Sequence, residues 1–279
     1  MSAGTNSERD GGRPPPLDPA AAPAWLKPLV DNVKHVPRAY RRRVPADVLA
    51  AITAANATAT LTGAKRDAAV LVLFSGSRES PSGGLPDDAD LLVTVRASTL
   101  RNHAGQAAFP GGASDPDDDG PVFTALREAN EETGIDAGRL HPLATLDQMF
   151  IPPSGFHVVP VLAYSSDPGP VAVVDPAETA IVARVPLRAF INPENRLMVF
   201  RQRNTRRFAG PAFLLNQMLV WGFTGQVISA ILDVAGWAEP WNTDDVRELD
   251  AAMALVGGPA GRSEATRGSA STGYGDPQQ

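Results

Sequence analysis

The segment Arg127-Glu128-Ala129-Asn130-Glu131-Glu132-Thr133-Gly134-Ile135 constrains this chain more than any other. Its three glutamates stand at offsets of zero, three and four, so on a helix turning ~100° per residue they share one face. Gly134 reads as the residue just past the helix end. Glu131 and Glu132 then fall in the last turn, where the helix dipole disfavours anions. Three like charges this close repel one another unless a cation sits among them. A helix shaped by stability alone would carry Lys or Arg there. Clustered carboxylate oxygens suit a hard divalent ion such as Mg2+ or Mn2+.

The surroundings of that helix set the fold class. Trp25 to Tyr40 reads as an amphipathic helix, ending in the solvated basic run Arg41-Arg42-Arg43, and Ala46 to Leu61 as a second helix. The apolar run Ala68 to Phe74 and the segment Asp90 to Arg96 read as strands, with a Gly/Pro/Ser loop between them. Val122 to Glu132 is the acidic helix. Leu143 to Met149, His157 to Tyr164 and Thr179 to Val185 read as further strands, and Met198 to Arg207 as strand or loop. Strands in the middle with helices on both flanks predict an α+β protein, an α/β/α sandwich with a mixed β-sheet between helices.

Residues 1–22 and 257–279 are rich in Gly, Pro, Ser and Thr and poor in large apolar side chains, which predicts disordered tails around one domain at 23–256. No apolar core of a secretory signal occurs in the first of these. No charge occurs between Arg207 and Asp233, long enough for a membrane span by length alone. Pro211, Asn216, Gln217, Gln226 and Ser229 argue instead for a buried C-terminal helix, with Leu214, Met218, Val220, Trp221 and Ile228 in the core. A net charge of −6 argues against a general nucleic-acid binder. The lack of cysteine removes disulfides, thiolate zinc sites and thiol nucleophiles, and fits a reducing, cytoplasmic setting.

Gly112, Arg127-Glu128, Glu131-Glu132, Gly134 and Ile135 resemble the Nudix box: Gly, five residues, Glu, seven residues, Arg-Glu, an aliphatic residue, any residue, Glu-Glu, any residue, Gly, aliphatic. Three departures stand out. Five residues on from Gly112 comes Asp118 rather than Glu, eight residues rather than seven separate it from Arg127, and Ala129 is a small aliphatic. Upstream, Leu91-Leu92-Val93-Thr94-Val95-Arg96 and Leu100 to Gly112 are similar to the signature of coenzyme A pyrophosphatases. Val220-Trp221-Gly222-Phe223-Thr224 resembles the C-terminal helix of the same subgroup. The resemblance covers roughly residues 67–236 and implies a Nudix fold.

It also implies metal-dependent hydrolysis of a nucleoside diphosphate linkage. The substrate it points to is coenzyme A or an acyl derivative, giving 3′-phospho-AMP and 4′-phosphopantetheine. ADP-ribose, NADH or a nucleoside triphosphate is the rival substrate, and a nucleotide-sensing module without catalysis the rival class. On this resemblance Glu128 and Glu132 hold Mg2+ or Mn2+, with Glu131 sharing the site. One of the glutamates, or another acidic residue nearby, takes the proton from the attacking water. Arg127, four residues before Glu131, orients it. Arg96, Arg101, His103 and Gln106 contact the nucleotide or its phosphates. Gly111 and Gly112 form a tight turn that also lets backbone approach a phosphate or metal. The partner is then a small-molecule nucleotide, with neither nucleic acid nor membrane; a homodimer is compatible with this reading.

His35, His141 and His157 lack ligand spacing and read as structural. Asp115, Asp117, Asp119 and Gly120 imitate the start of an EF-hand loop, but the twelfth position is Leu126 where a bidentate Glu is needed. That loop, with Asp118 or Asp119, reads as an acidic neighbour of the metal site. Arg201, Arg203, Arg206 and Arg207 form a basic cluster that reads as a solvated loop or as a contact for an extra phosphate.

Overall fold

The computed structural model describes residues 15–80, 84–97, 99, 105–152, 154–203 and 206–257. In chain order the elements are α1 (Lys27–Asp31), α2 (Val36–Arg42), α3 (Ala46–Leu61), β1 (Arg66–Ser75), β2 (Asp90–Arg96), β3 (Ala107–Ala108), β4 (Gly111–Ala113) and α4 (Gly120–Thr133). They continue with β5 (His141–Thr145), β6 (Met149–Ile151), β7 (Phe156–Ser165), β8 (Thr179–Pro186), α5 (Leu187–Ile191), β9 (Arg196–Arg203), β10 (Arg206–Leu215), β11 (Met218–Val220), α6 (Gly222–Ala235), β12 (Val246–Glu248) and α7 (Leu249–Gly257).

β1 is the centre of a mixed sheet. It runs parallel to β7 and antiparallel to β2 and β4, while β8 and β3 extend the β2 side and β5 and β6 pair with β7. A parallel pair covered on both faces must be apolar on both, and β1 is. Ala69, Leu71 and Leu73 meet Ala125, Leu126 and Ala129 of α4 on one face. Val72 and Phe74 meet residues of α1, α2 and α6 on the other, among them Leu29, Val36, Val227 and Ile231. The layers are therefore helix, mixed sheet, helices, which is the α+β sandwich the sequence predicts. β9 to β12 build a second, four-stranded sheet whose Leu197, Val199 and Ala212 pack on Leu249 and Ala252 of α7.

Four sequence expectations change. The uncharged stretch after Arg207 is not one helix. Its first part is β10 and β11, joined by an Asn216-Gln217 turn in which Gln217 takes φ 65°, and only Gly222–Ala235 is helical. Pro211 cannot donate within a helix, and the aromatic and small residues around it suit a sheet face. Second, Trp25 to Tyr40 is broken into α1, a short 3-10 turn and α2. Third, the strand expected at Leu143 to Met149 is split between β5 and β6. Fourth, ordered structure starts before residue 23: the Asp18 amide donates to Pro142 O at 2.8 Å, and Ala22 is buried. The outer parts of both expected tails, 1–14 and 258–279, lie outside the described residues. α3 buries none of its side chains. It is tied to the sheet through Asn56 Oδ1, 2.6 Å from Nε2 of the buried His157, a structural use of that histidine. Among the described residues no single helix is long and apolar enough to cross a membrane.

Candidate active site

α4 presents the glutamates to the edge of β4. Its last turn closes as expected: Gly134 takes φ 68°, its N–H donates to Asn130 O at 2.8 Å, and Asn130 Nδ2 caps Ile135 O at 2.7 Å. Ala125 and Ala129 anchor the opposite side of the helix in the core. That anchoring turns Glu128 and Glu132, one helical turn apart, toward the Gly111-Gly112 backbone.

Glu132 Oε2 accepts from Gly111 N at 3.4 Å. Glu128 lies so close to Gly112 that a Cβ built on that glycine would fall on its carboxylate. Gly111 itself takes φ 150°, and a Cβ there would strike Ala69 O and Val70 Cα. Neither glycine has room for a side chain, for different reasons: backbone behind one, a site carboxylate before the other.

Arg127 organises the acidic residues. Its Nε and Nη2 donate to the two oxygens of Asp118 at 2.9 and 3.0 Å, and its Nη1 donates to Glu128 Oε1 at 2.9 Å and Glu131 Oε2 at 3.0 Å. Asp118 also accepts from Thr124 Oγ1 at 2.8 Å and from Asp115 N at 2.9 Å. The Asp118 side chain is 3% exposed, and the Arg127 guanidinium, with these further donors, holds its carboxyl down to about 2. Asp118, displaced by one residue from the box pattern, is thus the fixed point that orients Arg127, and Asp115 of the same loop stands 3.8 Å from that guanidinium.

Burial acts on the two inward glutamates in the opposite sense. Desolvation raises the Glu128 carboxyl against the opposing pull of Arg127. It raises Glu132 further, to about 7, opposed by the Gly111 N–H and by Arg96 and reinforced by the nearby charges of Glu128 and Glu178. Glu132 is half-buried, and the Gly111 N–H and the Arg96 charge do not offset the cost of taking its charged form out of water.

Glu131 points elsewhere. It is 58% exposed and engaged by Arg127. Among the described residues no three His, Asp or Glu side chains stand together closely enough to enclose a metal ion. Glu128 and Glu131 both accept from Arg127 Nη1, and Glu132 faces the Gly111 N–H instead. The pair Glu128 and Glu132 does fit a divalent ion, because hard oxygen donors with raised proton affinity face a backbone stripped of side chains.

Of the expected substrate contacts, Arg101 and His103 lie outside the described residues. Arg96 ends β2 and its charge acts on Glu132. Gln106 is its cross-strand neighbour, with Arg96 N donating to Gln106 O at 3.1 Å. A Cβ on Gly222, at φ 66°, would lie 3.2 Å from Gln106 Nε2, so this side chain rests on the start of α6. Glu178 escaped the sequence reading: it sits just before β8, far from the box, and reaches the site because its carbonyl accepts from Ala97 N at 2.8 Å beside Arg96.

Residues 65–208 match the family model for the NUDIX domain. The chain belongs to the Nudix family. It is similar to NudL of Photorhabdus laumondii, an uncharacterized Nudix hydrolase, at 36% identity over 138 residues, covering 50% of this chain and 73% of that one. It is also similar to NudL of Yersinia pestis (strain Pestoides F), at 53% identity over 72 residues, covering 26% of this chain and 36% of that relative. Among solved structures it is similar to the Nudix hydrolase RenU from M. smegmatis, with 20% identity, TM-score 0.42 and coverage of 64% and 91%. The NUDIX domain of Shewanella oneidensis NrtR, solved with ADP ribose, matches at 20% identity and TM-score 0.33, covering 44% of this chain and 74% of that one. As a Nudix hydrolase the chain is an enzyme of a family that generally uses divalent metals such as Mg2+ or Mn2+.

Removing Asp118 tests the role assigned to it. Asp118→Ala leaves Arg127 partly buried with its main partner gone, and is expected to cost about 3 kcal/mol and to slow turnover by roughly 10–100-fold, as loss of a group supporting the ligands does. Asp118→Glu, which supplies the residue usual in the box, is expected to recover part of both losses. Because folding lowers the Asp118 pKa, its contribution is present above the unfolded value near 4 and is lost as pH falls toward about 2. Thermal melts across pH 2–5 are expected to show a flatter acid limb in Asp118→Ala than in the parent.

Proposed function

We propose that this Nudix hydrolase cleaves the diphosphate of coenzyme A or an acyl-coenzyme A. Water oxygen attacks one phosphorus, the bridging P–O bond breaks, and the products are 3′-phospho-AMP and (acyl-)4′-phosphopantetheine. Glu128 and Glu132 would hold a divalent ion, with Glu131 beside them on Arg127. That ion supplies charge neutralisation at the diphosphate and greater acidity of the attacking water. Arg127 orients the glutamates. Arg96, at the mouth of the site, offers a guanidinium to phosphate oxygens, and the Gly111-Gly112 backbone lets the diphosphate approach closely. The proton released by water goes to a carboxylate. Glu131 and Glu178, both exposed beside the half-buried pair, are the candidates.

One observation carries the substrate reading. The two segments that resemble coenzyme A pyrophosphatases, around Gln106 and around Gly222, are far apart in sequence but touch in the fold: the Gln106 amide rests on Gly222, whose missing side chain leaves room for it. Gln106 also lies across from Arg96, which feels Glu132. This contact supports the reading that both segments border the part of the substrate beyond the diphosphate. The test is product identification by mass spectrometry after incubation with coenzyme A, acetyl-coenzyme A, ADP-ribose and NADH, each with Mg2+ or Mn2+. We expect 3′-phospho-AMP and the phosphopantetheine product to form fastest. A higher kcat/KM for ADP-ribose or NADH would reassign the substrate, and ligand binding without any product over hours would assign a sensor.

A further inference from the structure

A second polar cluster lies away from the glutamate helix, where β9 meets α6. Arg196 opens β9 and is 3% exposed. Its Nη2 donates to Ser229 Oγ at 2.9 Å, while Nε and Nη1 meet no acceptor. Its guanidinium stands 4.6 Å from the ring centre of Trp241 and 5.4 Å from that of Phe213. The nearby Asp233 is paired with Arg43, at 2.6 Å, and acts on Arg196 only through its more distant charge. Among the described residues no carboxylate pairs with Arg196.

This is an unusual state for a cation. Buried polar groups in folded proteins are almost always paired, and a buried charge needs an opposite charge or full hydrogen bonding. Aromatic faces attract a guanidinium but leave its in-plane donors unsatisfied. Burial pushes the Arg196 pKa down to about 10, still far above neutral pH, so the group stays charged. The region thus carries one positive charge and two unpartnered donor nitrogens in excess. Trp241, which covers the guanidinium, is only partly buried and lies in the irregular segment between α6 and β12. Its displacement would open a path to Arg196.

We propose that Arg196 and Ser229 form a binding site for a small oxyanion of the phosphate or carboxylate class, closed by Trp241. The oxyanion accepts from the free Nη1 donor and from the Ser229 hydroxyl, balances the excess charge, and holds the Trp241 segment against α6. None of these residues belongs to the glutamate site on α4, so this site is separate from the diphosphate chemistry.

The test is thermal unfolding of the metal-free full chain at constant ionic strength, with phosphate or acetate replacing chloride. A ligand bound only by the folded state raises the midpoint saturably, by roughly 5 °C at about a hundredfold excess over its Kd. We expect that rise in the parent and equally in Arg96→Gln, which removes the guanidinium beside Glu132 that could hold an anion at the glutamate site. We expect it to be absent from Arg196→Met, whose midpoint without anion is unchanged or higher because an unpaired buried charge is gone. A response to phosphate alone or to acetate alone identifies the class. Should Arg196→Met fail to fold, Ser229→Ala decides, with at least a fivefold weaker half-saturation expected. An identical anion response in these variants and the parent, or no saturable response to either anion, overturns the proposal.

Discussion

Glu132→Gln is expected to lower turnover by at least roughly 10²-fold, the upper end of what losing a group that merely supports a metal ligand costs, and at the same time to stabilise the metal-free protein above neutral pH. The two effects share one cause. Burial raises the Glu132 carboxyl to about 7, so folding favours its protonated form. The sign follows from the raised folded pKa. Below the unfolded value near 4.5 the group costs the fold nothing, and between 4.5 and about 7 a growing penalty appears, which persists at higher pH. After allowance for partial exposure, that penalty is on the order of 2 kcal/mol. Thermal melts of metal-free parent and variant between pH 5 and 8.5 are expected to diverge as pH rises, with Glu132→Gln the more stable. Mg2+ or Mn2+ is expected to raise the parent midpoint at pH 8 and to leave the variant nearly unmoved. A variant that keeps parental kcat and the parental response to metal would remove Glu132 from the metal site.

The glycine pair gives the second large effect, and the two members are expected to fail differently. Gly111→Ala places a methyl group against Ala69 O and Val70 Cα, in a backbone conformation that L side chains rarely adopt. The central strand cannot retreat, so a loss of about 3 kcal/mol or more is expected from strain and overpacking together. Gly112→Ala has no such backbone conflict. Its methyl group displaces the Glu128 carboxylate, which is the free end of a side chain, so the fold is expected to survive with a midpoint within about 3 °C of the parent. Turnover is expected to fall about 10²-fold, because a shift of roughly 1 Å in a reacting group costs that much. Unfolding curves and steady-state kinetics of the two variants, measured side by side, separate the outcomes. Equal stability of both variants would show that β4 moves freely against β1.

How much of this was legible beforehand differs from residue to residue. The helix end at Gly134, the Arg127–Glu131 pair, strand β2 and the exposed helix α3 follow from local rules: glycine at a left-handed position, i,i+4 charge pairing and hydrophobic patterning act between near neighbours. The segment after Arg207 did not follow. A run without charge is compatible with a buried helix or with two buried strands, and the Asn216-Gln217 turn is too weak a signal to divide it. Asp118 was visible as a departure from a pattern, but only its burial against Thr124 and Arg127 gave it a task. Glu178 carried no signal, since it depends on the pairing of β8 with β2.

The amino-acid order alone determined the acidic helix, its glycine stop and the alternation of strands and helices, because each rests on contacts within a turn or two of chain. It also placed the segments around Gln106 and Gly222 far apart. The tertiary structure decided how far each carboxylate is desolvated, turning Glu128 and Glu132 partly inward and leaving Glu131 exposed. It also brought Gln106 against Gly222 and left Arg196 buried with donors to spare. Those outcomes depend on desolvation and on long-range packing, and neither is a property of any short stretch of sequence.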